Sequence, residues 1–350
     1  MLNKLKIEGA GQMAMDDRKQ RVLQAIVALY GLEGEPVGSG LLADYLNMAV
    51  SSATLRNEMA SLTKLGLLEQ PHTSAGRVPS AKGYRYYLDH LLPRQTLSRA
   101  ARRQVEQVFD SLDQEPERLA QGAARALSAM TGYTAVVAMP RSDDLCIAHY
   151  EVVQVGRSTA AVLAVTSAGY VRTRVARTGR GLTRQTAAAV AGLLNQNLTF
   201  IVPADVTAPM VNALCAAAGP ELAPVVQAAA AILRDSAKPH TFSSGEQLLL
   251  NRPELQRHLP ALLQLLNNEE ALGRVIAPVG DKATVVLGED LPQPMPGVSI
   301  VSRRYLTGGG LTGSVALIGS IRMPFAELIP LLELFAAQLG LSMSGTPKEE

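Results

Sequence analysis

The chain has 350 residues, 47% of them hydrophobic and 18% charged, and 33 basic against 31 acidic residues leave a net charge of +2. That length predicts two or three domains, the apolar share excludes a disordered chain, and the balanced total excludes a single-signed tail along the whole length but not a local patch. Two cysteines, Cys146 and Cys215, exclude a disulfide framework.

They lie outside any C-x-x-C pair, fall short of a zinc ligand set, and read as two buried thiols in a reducing cytoplasm. Residues 1–15 lack the apolar core of a secretory leader and lack periodicity, so a flexible tail is expected there, with Met15 as an alternative start. No stretch reads as a membrane span. The closest, Gln185 to Ala204, is uncharged but carries Asn195-Gln196-Asn197 at its middle, where hydrocarbon would penalise polar groups.

Residues 16–93 hold short, well-punctuated helices. Val22, Leu23, Ile26, Val27 and Tyr30 recur at helical spacing. Glu35 to Ser39 is a break, with Ser39 the expected N-cap of a short helix from Leu41 to Leu46. A turn at Asn47-Met48-Ala49 follows, where Asn47 tolerates a left-handed backbone. Ser51 then caps a helix with Leu55, Met59, Leu62 and Leu65 on one face, and Gly66 stops it. Helix, short turn, capped helix is the helix-turn-helix pattern. Two extended pieces, Leu67 to Gln70 and Arg77 to Pro79, flank a turn-rich tip at 71–76 and predict a wing. Ser80 caps one more helix, through Tyr84, Tyr87 and Leu88, which Pro93 ends; its clustered tyrosines are expected to pack in the core.

From 94 to 181 the pattern changes. A long helix is predicted through Val105, Val108, Leu112, Leu119, Ala123, Leu127 and Met130, closed by Gly132. Strands follow at Thr134 to Met139, Cys146 to Val155, Ala160 to Thr166 and Tyr170 to Thr178. Residues 182–245 are alanine-rich and helical. Residues 246–343 return to mixed character: a helix from Leu248 to Asn268, extended pieces at Val275, Thr284 to Leu287, Ser299 to Leu306 and Ser314 to Arg322, and a last helix from Pro324 to Leu341. The simplest organisation is an α+β multidomain chain. A DNA-binding domain spans 16–93, a mixed α/β domain is assembled from 94–181 and 246–343, a helical insertion spans 182–245, and 344–350 form a C-terminal tail.

Charge is unevenly placed. Residues 51–103 carry nine basic and three acidic residues, +6, so the rest of the chain sums to −4. A basic excess on a helix-turn-helix and its wing is the footprint of a phosphate-backbone binder. Ser51, Ser52 and Thr54 occupy the first turn of the recognition helix, where small hydroxyls reach phosphate or base edges. Arg56 and Asn57 point sideways or outward; Arg suits guanine and Asn suits adenine, although an ion pair of Arg56 with Glu58 and plain solvent exposure of Asn57 are equally compatible with the spacing. Ser51 also fits a simple cap. His72, Thr73, Ser74 and Arg77 lie on the wing, where Arg77 suits the minor groove or a phosphate, and Lys82 and Arg85 on the next helix are candidate backbone contacts.

Enzyme readings fare poorly. Gly308 to Gly313 satisfies G-x-G-x-x-G, but an extended run follows instead of a helix, so a hairpin turn is expected. Ser74 lacks the glycine that a nucleophile elbow needs where His72 stands. His72, His90, His149, His240 and His258 show no metal spacing. No catalytic residue, cofactor or metal is expected.

The run Ser51-Ser52-Ala53-Thr54-Leu55-Arg56-Asn57-Glu58-Met59, with Leu68 to Ser80 and Gly83-Tyr84-Arg85-Tyr86-Tyr87, closely resembles the HrcA family of heat-inducible transcription repressors. Weaker matches continue through Leu127 to Arg141, Val165 to Val175, Leu249 to Glu254 and Gly319 to Met323. Two departures stand out: Gly40 occupies a position where the family usually has Arg, removing a candidate phosphate contact, and Asn47-Met48-Ala49 replaces a turn that often carries Gly. The resemblance implies a cytoplasmic, dimeric, non-enzymatic repressor with a winged helix-turn-helix, a GAF-like central domain and an inserted dimerisation domain. It implies double-stranded DNA as partner, in the form of an inverted-repeat operator called CIRCE upstream of chaperone operons, and modulation by the GroEL-type chaperonin in the heat-shock response. A two-fold operator calls for a homodimer, and the alanine-rich helices of 182–245 are the candidate contact. The competing reading is a GAF-like regulator that senses a small molecule.

Overall fold

The computed structural model describes residues 15–47, 51–73, 75–93, 95–141, 145–167, 169–179, 181–236, 240–277, 280–308 and 310–344. The chain divides into two compact units. One comprises residues up to 97 together with 285–299 and 319–330, and the other comprises the remainder.

The first unit opens with α1 (Asp17–Glu33), whose Asp16 side chain accepts from the Lys19 backbone N–H at 2.8 Å and so satisfies an orphan donor of the first turn. Val22, Leu23, Ile26 and Val27 are buried, as the spacing predicted. Met15, counted with the tail in the sequence reading, is buried, and its carbonyl accepts from Gln20. Helix α2 (Ser39–Leu46) begins earlier than expected. Gly38, not Ser39, stands at its N-cap and gives no side-chain bond. The backbone of Val37 pairs with Arg77, both bonds 2.9 Å, and the chain turns into α2 directly after that bridge. Asn47 takes the left-handed backbone (φ 44°, ψ 36°); Met48 and Ala49, the rest of the predicted turn, lie outside the described residues. Helix α3 (Ser52–Lys64) is capped by Ser51 and buries Leu55, Met59 and Leu62.

Gly66, at φ 73°, ends this helix in a conformation that costs a larger residue energy. The exposed carbonyls of the α3 C-terminus then find donors: Ser80 Oγ–H reaches Gly66 O at 2.6 Å and the Lys82 ammonium reaches Leu65 O at 3.0 Å. The wing follows as β1 (Leu68–Glu69) and β2 (Val78–Pro79), antiparallel, with Leu68 opposite Pro79. Helix α4 (Ala81–Tyr86), capped by Ser80, continues as one π-helical turn to Leu91. Tyr84 and Tyr87 are core residues, and burial pushes both hydroxyls above their ordinary range.

The second unit starts with α5 (Arg99–Ser111) and α6 (Pro116–Thr131). The single long helix expected there is broken because Leu112 is extended and Pro116 disfavours helical backbone at Glu115. Strands β3 (Thr134–Arg141), β4 (Ile147–Gly156), β5 (Thr159–Thr166) and β6 (Val171–Arg177) match the predicted runs. They are followed by α7 (Arg184–Leu198), α8 (Ala208–Ala218), α9 (Ala223–Ser236) and β7 (Thr241–Ser244). The predicted helix from Leu248 to Asn268 is instead α10 (Gln247–Leu250), a 3-10 segment at Pro253–His258 and α11 (Leu259–Leu266), since Arg252 before Pro253 is extended. Val275, expected to be extended, closes α12 (Glu269–Val275). Strands β8 (Thr284–Leu287), β9 (Val298–Leu306) and β10 (Thr312–Ser320) and helix α13 (Phe325–Met343) complete the chain.

Two sheets result. One runs in the order β7–β3–β10–β9–β8, with β3 antiparallel to both β7 and β10. The loop after β9 leads into the neighbouring strand β10, so Gly308 and Gly310 sit in a strand-to-strand turn, as expected; Gly309 lies outside the described residues. The other is the antiparallel sheet β4–β5–β6. The sequence pattern groups these strands with 94–181, but their inner face (Ile147, Tyr150, Val152, Val162, Ala164) shares a core with Val190, Leu194, Leu198, Val226 and Leu233 of the helices that follow.

Asn195, the polar centre of the stretch that came nearest to a membrane span, has a structural task. Its side chain accepts from Tyr150 N–H and donates to Tyr150 O, both at 2.8 Å, closing the outer edge of β4. Among the described residues the helix long and apolar enough to cross a membrane is α13, not the 185–204 stretch, and its Phe325, Leu328, Leu332, Phe335 and Leu339 are buried. Cys146 and Cys215 are free and half-buried, not buried as expected.

Candidate nucleic-acid interface

The candidate recognition surface is built on α3. Three apolar side chains anchor one face, and helical geometry sends the residues between them outward. Ser51, Ser52, Arg56 and Asn57 are exposed and Thr54 is half-exposed. Ser51 Oγ accepts from Thr54 N–H at 3.2 Å and lies 3.0 Å from Thr54 Oγ1, so the hydroxyl is a true cap at the helix's N-terminal tip. Arg56 forms no ion pair with Glu58. That carboxylate turns the other way, 3.2 Å from the Lys19 ammonium and 4.0 Å from the Arg18 guanidinium on α1. Lys19 also bonds the Asp16 carboxylate at 2.6 Å; this bond holds Asp16 below its ordinary pKa, and with the Glu58 bond it raises that of Lys19. The one acid of α3 is thereby paired, while Arg56 and Asn57 stay exposed. Spacing within α3 could not reveal this, because Glu58's partners sit some forty residues upstream on another helix.

At the wing, His72 and Thr73 are exposed at the tip, and Gln70, unnoticed in the sequence, donates to Thr73 O at 2.8 Å and Ala75 O at 3.1 Å. Ser74 lies outside the described residues. Three predicted contacts stand apart from this cluster. Arg77 is half-buried, with Nε 3.0 Å from Thr63 Oγ1 on the C-terminal half of α3. Lys82 is exposed and donates to Leu65 O, about 20 Å along the helix axis from Ser51 at 1.5 Å per residue. Arg85, three positions further on, pairs with the Asp290 carboxylate. Tyr84 is buried, consistent with core packing.

The second unit bears on the small-molecule reading. It contains a cavity of about 310 Å³ lined by Arg172, Arg174, Asp235, Ser236, His240 and Glu269. Arg174 lies 3.2 Å from Asp235, the His240 imidazole lies 3.2 Å from the Glu269 carboxylate, and Arg172 pairs with Glu117 outside the lining. An apolar pocket with a few convergent polar groups is the usual ligand site, and this cavity is the reverse. Among the described residues no three His, Cys, Asp or Glu side chains are grouped to hold a metal ion.

A capped, outward-facing second helix beside a two-stranded wing defines a winged-helix DNA-binding domain. Comparison with known proteins agrees. Residues 14–90 match the family described as winged helix-turn-helix transcription repressor, HrcA DNA-binding, and residues 117–329 match the HrcA protein C terminal domain. The chain is 33% identical over 343 residues to the heat-inducible transcription repressor HrcA of Moorella thermoacetica, covering 95% of this chain and 98% of that one. It is 31% identical over 339 residues to the HrcA of Pelotomaculum thermopropionicum, with 93% and 96% covered. A crystal structure described as a hypothetical protein shares the fold, with a TM-score of 0.65 and 23% identity over 95% of this chain and 99% of that one. The chain is therefore a DNA-binding transcription repressor by class. It belongs to the HrcA family of heat-inducible transcription repressors, which is not a family of enzymes.

Proposed function

We propose that this repressor binds, as a cytoplasmic homodimer, an inverted-repeat operator of the CIRCE type upstream of chaperone operons, and that the GroEL-type chaperonin maintains its activity. The observation that carries the DNA part is the exposed row Ser51, Ser52, Arg56 and Asn57 on a recognition helix whose acid, Glu58, is already paired. The contact set is this row with Thr54 and with His72 and Thr73 of the wing; Ser74 belongs to the same tip by sequence. Arg56 bidentate to guanine and Asn57 to adenine would supply base discrimination. The domain plan remains 16–93 for DNA, a GAF-like domain from the flanks 94–181 and 246–343, and an insertion at 182–245 for pairing. The core shared by β4–β6 with α7 and α9 supports counting those strands with the insertion.

Two-fold operators select two-fold proteins. The outer face of β4–β6 supports a contact there, because Val153 (44% exposed) and Val175 (61%) flank Ala161 in one cross-strand row, with Val155 and Val171 also exposed. Chaperonin dependence rests on family membership alone. The decisive experiment is a titration of labelled inverted-repeat operator and a scrambled duplex at two salt concentrations, with and without chaperonin. Operator-selective binding, tightened by chaperonin, is expected. Equal, strongly salt-dependent binding to both duplexes would leave only the electrostatic footprint.

A further inference from the structure

We propose that Arg77 and Thr63 form a brace that sets the angle of the wing on the recognition helix, so that Arg77 acts in operator binding as a positioning residue and not as a phosphate ligand. The inference rests on the DNA-binding role of the domain.

Apart from the bond of Ser80 N–H to Leu67 O at 3.1 Å, the wing has little to hold its base. Its ladder is two residue pairs, Leu68 with Pro79 and Glu69 with Val78, and Pro79 brings no N–H. An isolated hairpin of that length is not stable in water. Two further ties converge on Arg77. Its backbone exchanges both hydrogen bonds with Val37 at 2.9 Å, adding a third extended segment beside β2. The approach is so close that a Cβ on Gly76 would come within 2.3 Å of Val37 O, so only glycine fits the residue before the brace.

The second tie is the side chain. Thr63 Oγ–H donates to Met59 O at 2.8 Å, one turn back in α3, which leaves a lone pair of that hydroxyl facing outward. Arg77 Nε–H fills it at 3.0 Å. Nη1 lies against Ala75 O at 3.5 Å and Gly76 O at 3.4 Å, contacts too long to add much, but they place the guanidinium along the wing's own base. Gln70 then ties the tip together through Thr73 O and Ala75 O, so the tip moves with the base as one piece.

From Arg77 to Ala75 is two residues, roughly 7 Å of chain, and His72 folds back on Ala75 by accepting its N–H at 2.9 Å, so a tilt of about 10° at the base moves the tip by roughly 1–2 Å. That is enough to take a hydrogen bond of about 3 Å out of range. The brace therefore decides whether His72 and Thr73 meet the duplex in register with Arg56 and Asn57. Residue type alone would not single out Thr63, since its hydroxyl carries no charge and is engaged by Met59 O and Arg77 Nε.

The two roles of Arg77 predict different salt behaviour. A phosphate ligand releases counterions, and its loss flattens the plot of log affinity against log salt by about 0.9. A brace does not. The experiment compares wild type, T63V, T63S and R77A, each in the full chain, on operator and scrambled duplexes over a salt series, with melting curves showing every variant folded at the assay temperature. We expect T63V, which is isosteric and leaves the charge of Arg77 in place, to lower operator affinity about fivefold to tenfold and scrambled binding less than twofold, with T63S restoring both. We expect R77A to lose operator affinity to a similar degree at an unchanged slope. A slope flattened by about 0.9 in R77A, or operator binding by T63V equal to wild type, overturns the brace. Failure of wild type to bind any duplex overturns the DNA reading itself, and the brace with it.

Discussion

Helices α3 and α7 follow the same local rules and end in opposite roles. Both are opened by a hydroxyl cap, Ser51 in one and Thr183 in the other, and both present a regular apolar face. Helix α7 buries Ala187, Val190, Ala191, Leu194 and Leu198, and even its polar Asn195 turns inward to close a strand edge. Helix α3 buries only three residues in thirteen and leaves Arg56, Asn57 and Lys64 in water, while Glu58 is paired with α1. Capping and periodicity therefore report where a helix lies. Its function depends on what the packed face leaves outside, and on whether a neighbouring element claims those groups.

The largest effect that sharpens this contrast belongs to α7. Leu194 is fully buried, and Leu194→Ala is expected to destabilise the chain by about 2–5 kcal/mol, read as a lower denaturation midpoint. A loss under 0.5 kcal/mol would mean the insertion's core is not packed as described.

Next comes the outward row of α3. Arg56→Ala is expected to weaken operator binding by about 1–3 kcal/mol and to relax discrimination at one base pair while leaving the melting temperature nearly unchanged. Wild-type affinity at physiological salt would remove α3 from the recognition surface. A smaller change, Ser51→Ala, is expected to cost about 1 kcal/mol of stability through the lost cap. It touches both sides of the comparison, since a capping residue at the groove also affects binding; equal denaturation curves would show the cap is dispensable.

The dimer proposal is tested on the sheet. Replacing Val153 and Val175 together with Asp is expected to shift light scattering from dimer to monomer without unfolding. Persisting dimers at micromolar concentration would move the contact to the outer faces of α7–α9.

The smallest effect is electrostatic. Asp16 titrates below its ordinary range because Lys19 bonds it, so its contribution to stability is full above the unfolded carboxylate pKa and is lost as pH falls through the lower, folded value. Lys19, raised by Asp16 and Glu58, contributes fully below its unfolded pKa and loses that contribution as pH rises through the higher, folded value. Lys19→Gln should flatten stability at both ends of the pH range. An unchanged profile would show the pair to be inert, as many exposed pairs are.

Much of this was legible in the chain. Caps at Ser51 and Ser80, the left-handed Asn47 and the strands β3–β6 follow from short-range stereochemistry, which the sequence encodes directly. Two of the misplaced boundaries share a cause: Pro116 and Pro253 break helices whose apolar spacing runs on through them. The surroundings of the candidate contacts were half legible. Residue type and helical spacing place Arg56 and Asn57 on the outward side of α3, where both are exposed, but the partners of Arg77, Lys82 and Arg85, which are Thr63, Leu65 O and Asp290, are ones that no local pattern specifies.

The Asn195 amide has one more consequence. A strand at the margin of a sheet is a template on which another chain can add its own strand. In β4 the bonding groups of Tyr150 are already taken by a side chain from the same module, and Ile147 O is taken by Phe200 N at 2.9 Å. A regulator of the heat response must itself pass through the temperatures at which proteins begin to clump. Here part of that margin is occupied from within, and Asn195→Leu should make heated solutions of this chain more turbid than those of the unaltered chain.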